Sequence, residues 1–128
     1  MVPETVTVLV ADDSDAFRAG MVRAVRAHEE LSLIGEVDGG DAALAAIAEM
    51  QPDVALIDVR MPGLDGLGVV ERLRLLEPPP RTRVVLLSAH LDDDVVARAN
   101  ELGADAYMSK AISRREICSA AVRVARSA

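Results

Sequence analysis

Short apolar runs and helically patterned segments alternate five times along the chain, and this alternation restricts the fold more than any other feature. "TVTVLVA" (5–11) precedes "SDAFRAGMVRAVRAH" (14–28), and "LSLIGEV" precedes "GDAALAAIAEM". "PDVALID" precedes "LDGLGVVERLRLLE", "TRVVLLS" precedes "DDDVVARANELG", and "ADAYMSK" precedes "SRREICSAAVRVARS". The first member of each pair reads as a strand. The second reads as a helix, as Phe17, Met21, Val22 and Val25 show by their spacing, with Ser14 or Asp15 as its N-cap. Strands alternating with helices predict one parallel sheet, right-handed crossovers and helices on both faces. The runs "VLV", "VALI" and "VVLL" fit central strands covered on both sides, whereas "LSLIGEV" and "ADAYMS" are mixed and belong nearer the edges.

At 128 residues the pattern fills one domain, residues 1–128. "EPPPR" (77–81) reads as a loop ending the third helix rather than a linker. Hydrophobic residues make up 51% and aromatics only 2%, so Val, Leu, Ile and Ala must fill the core. A formal charge of −7 argues against a general grip on nucleic acid, which needs a basic patch. Cys118 is the sole cysteine, so no intramolecular disulfide or Cys-rich zinc site forms, and a packed thiol is expected. The N-terminal "MVPETVTVLV" has no basic region before a long apolar run, and no window reaches the length of a membrane span. The expectation is a cytoplasmic chain with no membrane partner.

In a parallel α/β sheet, ligands bind beyond the carboxyl ends of the strands. The residues at those ends are Asp12 and Asp13 after the first strand, Asp58 after the third, Ser88 after the fourth and Lys110 after the fifth. Two like charges about 4 Å apart repel by roughly 4 kcal/mol at an effective dielectric near 20, so three crowded aspartates need a cation among them. Lys110 supplies one charge. An all-oxygen donor set favours magnesium, calcium or manganese, and room for water and phosphate favours magnesium. Taken singly, each residue has a plainer reading: Asp12, Asp13 and Asp15 as an acidic helix cap, Asp58 as a turn residue, Ser88 and Lys110 as surface groups. Four separate strands delivering compatible groups to one end outweighs those readings.

Asp12-Asp13, "LIDVRMPGLDG", "LLSAH" and "GADAYMSK" together resemble the signature of the receiver domain of two-component response regulators, over essentially the whole chain. The resemblance implies a flavodoxin-like fold, with five parallel strands in the order 2-1-3-4-5. It also implies that Asp58 accepts a phosphoryl group from a sensor histidine kinase, and that Asp12, Asp13, Asp58 and the backbone carbonyl of Arg60 bind Mg2+. Lys110 is expected to pair with a phosphoryl oxygen. Ser88 is expected to bond another, while Tyr107 turns inward as a switch residue. The output face is then the fourth helix, fifth strand and fifth helix. In "MPGLDG", Pro62 and Gly63 bend the chain away and leave space beside Asp58.

The pattern departs from many receivers at Ser88, usually threonine, and at Ala111, often proline. A non-proline there, with "VVERLR" and "ELGADAYMSKAISRREI", is similar to receivers joined to LuxR-type helix-turn-helix domains. The chain is therefore taken as the receiver piece of a longer DNA-binding regulator, its DNA contact made only through an output domain absent from these residues; the alternative is a complete single-domain regulator. A homodimer on phosphorylation is a further expectation from the family. Arg60 and His90, two residues past Asp58 and Ser88, would by the resemblance tune water access to the phosphate, and read equally as plain surface residues. His28 is expected to suit a helix C-terminus as a partly cationic ring, and "DDD" (92–94) to open the fourth helix. The rival readings are a phosphate-independent interaction module and a magnesium-dependent phosphatase of the haloacid dehalogenase type. The latter wants an Asp where Arg60 stands. Self-catalysed phosphorylation and dephosphorylation, not metabolic catalysis, is the activity implied.

Overall fold

A computed structural model describes residues 4–127. Ten elements alternate as β1 (Val6–Ala11), α1 (Asp15–Ala27), β2 (Leu31–Val37), α2 (Gly40–Met50), β3 (Val54–Asp58), α3 (Gly66–Leu75), β4 (Arg83–Ser88), α4 (Asp93–Leu102), β5 (Ala106–Ser109) and α5 (Arg114–Ala125). Local chemistry sets the helix starts. Ser14, Asp65, Asp92 and Ser113 accept N-cap hydrogen bonds from the N–H groups of Phe17, Gly68, Val95 and Glu116. Each satisfies a donor that has no partner inside its helix. Asp92–Asp94 indeed form the acidic opening of α4, which ends at Gly103 with φ 87°.

The third helix stops at Leu75, with Leu76 as its C-cap, one residue short of its helical spacing, because Pro78 disfavours helical backbone at the residue before it. His28 caps α1, its N–H donating to the Val25 carbonyl at 3.1 Å, and its Nδ1 accepts the Glu30 N–H at 3.2 Å.

The strands pair in parallel in the order β2-β1-β3-β4-β5, so the two mixed strands do lie at the edges. β3 is buried throughout, and the alternation of side chains along it sorts the core into two halves. Val54 and Leu56 face Met21, Val25, Ile117, Cys118 and Ala121 of α1 and α5. Ala55 and Ile57 face Ala43, Ile47, Val69, Leu73 and Ala99 of α2, α3 and α4. Cys118 is the packed thiol expected, and burial pushes its pKa up. The two aromatic residues, Phe17 and Tyr107, are half-buried on opposite halves of this core. Among the described residues no helix is long and apolar enough to cross a membrane.

Glycine controls how closely α3 approaches the end of β3. The turn between them holds Gly63 at φ 74°, a conformation that a side chain disfavours. At Gly66 the constraint is space: a Cβ would lie 2.4 Å from the Asp58 carbonyl oxygen and 3.0 Å from Val59 Cα. Its N–H donates to the Val59 carbonyl at 2.9 Å, so α3 starts directly against the residue that ends β3. Gly66→Ala should therefore destabilise the domain by about 1–3 kcal/mol in urea unfolding, through forced displacement of packed backbone. A loss below about 0.5 kcal/mol, the range of ordinary surface changes, would show that this approach is not restrictive.

Candidate functional site

The parallel ladder carries three chain segments past the sheet and leaves their side chains together. The Asp12 N–H donates to Val37 (3.1 Å), the Val59 N–H to Leu87 (2.8 Å) and the Lys110 N–H to Ser88 (2.9 Å), each on a neighbouring strand. Backbone pairing thus continues one residue beyond β1, β3 and β5. Asp12, Asp13 and Asp58 each place a carboxylate oxygen within 4.8 Å of the others. Asp12 and Asp58 are buried, at 1% and 5% exposure, while Asp13 is open to solvent.

Lys110 holds this crowd together. Its Nζ lies 2.7 Å from Asp12 Oδ2 and 3.2 Å from Asp58 Oδ2. Asp12 Oδ1 accepts the Ser14 N–H at 2.8 Å, and Asp58 Oδ1 accepts the Arg60 N–H at 3.2 Å. Asp12 Oδ2 is buried with no aligned hydrogen-bond donor, despite the nearby ammonium. An oxygen in that state, beside an exposed carboxylate and a second buried one, fits a hard divalent cation. An open depression of ≈ 340 Å3, lined by Asp13, Arg60, Met61, Pro62 and Asp65, adjoins the cluster where the "MPGLDG" turn swings away.

Not every expected residue joins the cluster. Ser88 is buried, and its hydroxyl is held in a local turn, donating to the His90 carbonyl (2.8 Å) and accepting the His90 N–H (3.1 Å). Tyr107 is half-buried against the core half that includes α4. Arg60 meets Asp58 through its backbone N–H while its side chain is exposed. Sequence reasoning passes over Arg18, whose guanidinium donates to the Asp12 carbonyl (2.8 Å) and pairs with Asp15 (2.8 Å) and Glu36 (3.2 Å). A cation near a helix N-terminus opposes the helix dipole, which is the available signal that Arg18 serves the loop before it.

Burial, reinforced by the charge of Asp12, pushes the Asp58 carboxyl up to about 6 against the opposing pull of Lys110 and the Arg60 N–H. Burial also works against the Lys110 ammonium, but Asp12 and Asp58 outweigh it and raise the Lys110 pKa. Asp58 therefore binds its proton more tightly folded than unfolded. Without metal, stability falls as pH rises through about 6, and the penalty is absent below the unfolded value of 3.8. In chelator, Asp58→Asn should stabilise the domain by about 2–3 kcal/mol at pH 8, since each tenfold rise in proton affinity on folding corresponds to about 1.4 kcal/mol. That gain should shrink steadily toward pH 4 in urea titrations. An equal gain at both ends of the range would refute the elevated carboxyl.

Residues 8–122 match the family described as the response regulator receiver domain. The probable transcriptional regulatory protein NarL of Mycobacterium tuberculosis is 44% identical over 124 residues, covering 97% of this chain and 56% of that protein. The response regulator GacA of Pseudomonas aeruginosa is 36% identical over 115 residues, covering 90% of this chain and 53% of that one. The chain thus spans about half the length of the curated relatives it matches. Among solved structures, the receiver domain of the putative response regulator NarL from M. tuberculosis superposes with a TM-score of 0.93 at 42% identity, covering 98% of this chain and 100% of that one. A LuxR-family DNA-binding response regulator from Staphylococcus aureus superposes at 0.87 and 25% identity, covering 94% and 99%. With a family match over most of its length, a relative 44% identical and the strand order 2-1-3-4-5, the chain belongs to the receiver domain family of two-component response regulators.

Proposed function

We propose that this domain is a phosphorylation-dependent switch in which Asp58 is the phosphoacceptor. The observation that carries the reading is the Lys110 ammonium bridging Asp12 and Asp58 beside the exposed Asp13. A carboxylate oxygen of Asp58 attacks phosphorus, the bond from phosphorus to the phosphohistidine nitrogen of a sensor kinase breaks, and the imidazole leaves with the electron pair. Such transfer needs mainly positioning and neutralisation of spreading negative charge. Lys110 stands 3.2 Å from the attacking carboxylate, close enough to meet an oxygen of the arriving group. Receiver domains typically bind Mg2+ at an acidic pocket; here Asp12, Asp13, Asp58 and the Arg60 carbonyl would hold it. Bound there, Mg2+ supplies positive charge to the phosphoryl oxygens.

Ser88 and Tyr107 form the moving part of this reading. The Ser88 hydroxyl must leave its turn with His90 to reach a phosphoryl oxygen. That exchange frees the β4–α4 loop, and Tyr107 follows into the vacated space, changing the face made by α4, β5 and α5. The regulated output is read as transcription, through a LuxR-type DNA-binding domain outside these residues, in the cytoplasm. What supports this is the kinship with NarL and GacA, of which the chain covers about half. Pairing of phosphorylated copies belongs to the same proposal.

Incubation with magnesium and acetyl phosphate should add one labile phosphate, about 80 Da, to the intact mass. Asp58→Asn or a chelator should abolish the gain. No gain with acetyl phosphate, and no response to a beryllofluoride mimic, would favour the phosphate-independent module instead. Tyr107 is the chain's sole tyrosine and there is no tryptophan, so intrinsic fluorescence reports the switch directly. Phosphorylation should change that emission in the wild type, whereas Ser88→Ala should accept phosphate with the emission unaltered. An equal change in both proteins would remove Ser88 from the switch.

A further inference from the structure

A lysine side chain has four rotatable bonds and a compact charge, so holding its tip at a defined point carries an entropic cost that its partners must offset. Asp12 and Asp58 attract the Lys110 ammonium, but they are the groups it serves, and their own positions depend on it. A neighbour from outside the acidic cluster also reaches it. The ring of Phe17, on the first turn of α1, has Lys110 Nζ over its face at 4.3 Å from the centroid. A cation over an aromatic face is attracted by the ring's quadrupole, more strongly when water is kept away, and Lys110 is mostly buried, with 16% of its side chain exposed.

The ring is itself braced. Ser14 accepts the Phe17 N–H at the start of α1, fixing the backbone that carries the ring. From α5, the Arg114 guanidinium lies 5.5 Å from the ring centroid. Arg114 reaches it by lying along α1 over Gly20, where a Cβ would come within 2.5 Å of Arg114 Nε. Gly20 stands one turn past Phe17 on the same helix face, so the absence of a side chain there opens the slot that Arg114 occupies. Phe17 and Lys110 are the only phenylalanine and the only lysine of the chain.

We propose that Phe17 is a positioning residue for phosphoryl transfer: its ring holds the Lys110 ammonium at the acidic pocket, in reach of Asp12 and Asp58. The proposal rests on reading that pocket as phosphoryl-accepting. Leucine at 17 keeps an apolar side chain against the core and loses the quadrupole, whereas tyrosine keeps the ring. Phe17→Leu should slow phosphate uptake from acetyl phosphate at saturating magnesium by about 3- to 10-fold, with the half-saturating magnesium concentration unchanged. Phe17→Tyr should retain the wild-type rate.

The single lysine provides a second readout that does not depend on phosphorylation. In protein labelled with 13C at lysine Cε, one εCH2 resonance reports Lys110. Ring current should place it upfield in the wild type and in Phe17→Tyr, and it should return toward the free-lysine position in Phe17→Leu. A Phe17→Leu rate equal to wild type, a Phe17→Tyr rate as slow as that of Phe17→Leu, or a lysine resonance indifferent to residue 17 would each overturn the proposal. Should the wild type take up no phosphate, the reading of the pocket falls, while the lysine resonance still decides whether Phe17 holds Lys110.

Discussion

Two buried carboxylates facing one ammonium at the carboxyl edge of a sheet set the terms for this domain. Asp12 and Asp58 cannot both stay charged in that position without Lys110, and Lys110 would not stay buried without them. The balance is incomplete. Asp58 remains harder to ionise than an ordinary carboxyl, and Asp12 Oδ2 lacks an aligned donor. The exposed Asp13 and the depression beside it lie next to this pair and leave it open to solvent on that side.

The fold delivers these groups by continuing sheet hydrogen bonds just past the strands. Asp12 is tied to Val37, Val59 to Leu87 and Lys110 to Ser88, so side chains far apart in sequence share one rigid frame. The glycines on the carboxyl side of β3 then clear space. Gly63 turns the chain and Gly66 lets α3 start against the Asp58 carbonyl. On the opposite side of the sheet, α1 supplies a second support through Arg18, which grips the Asp12 carbonyl and links it to Glu36 of β2. Rigidity on these sides contrasts with Ser88, whose hydroxyl bonds are confined to its own turn and can be exchanged without disturbing the sheet.

Legibility follows the range of the interaction. Strand and helix positions come from local period, and their starts from caps such as Ser14, Asp92 and Ser113, all readable within a few residues. The edge positions of β2 and β5 are visible because exposed strands carry mixed side chains. Helical spacing continues through Leu76 and predicts too long a third helix, whereas Pro78 acts on the backbone of Glu77 and ends it earlier. The reciprocal bonds between Thr7 and Asp53, at 2.9 and 2.8 Å, pin β1 to the start of β3 and leave no sequence signal, since each residue alone is an ordinary polar position.

By itself the sequence determined the fold class, the sheet's central and edge strands, and which residues end the strands, because each of these is written in a local pattern repeated five times. It also pointed to a cation beside Asp12, Asp13 and Asp58, since like charges delivered to one edge repel. The tertiary structure decided how that charge is shared: Lys110 between Asp12 and Asp58, Arg18 behind the Asp12 backbone, the Phe17 ring under the Lys110 ammonium. Those arrangements join α1 to β5, and α1 to β2, across long separations in the chain. Distances of a few ångströms between such elements follow from packing and register, which no local pattern encodes.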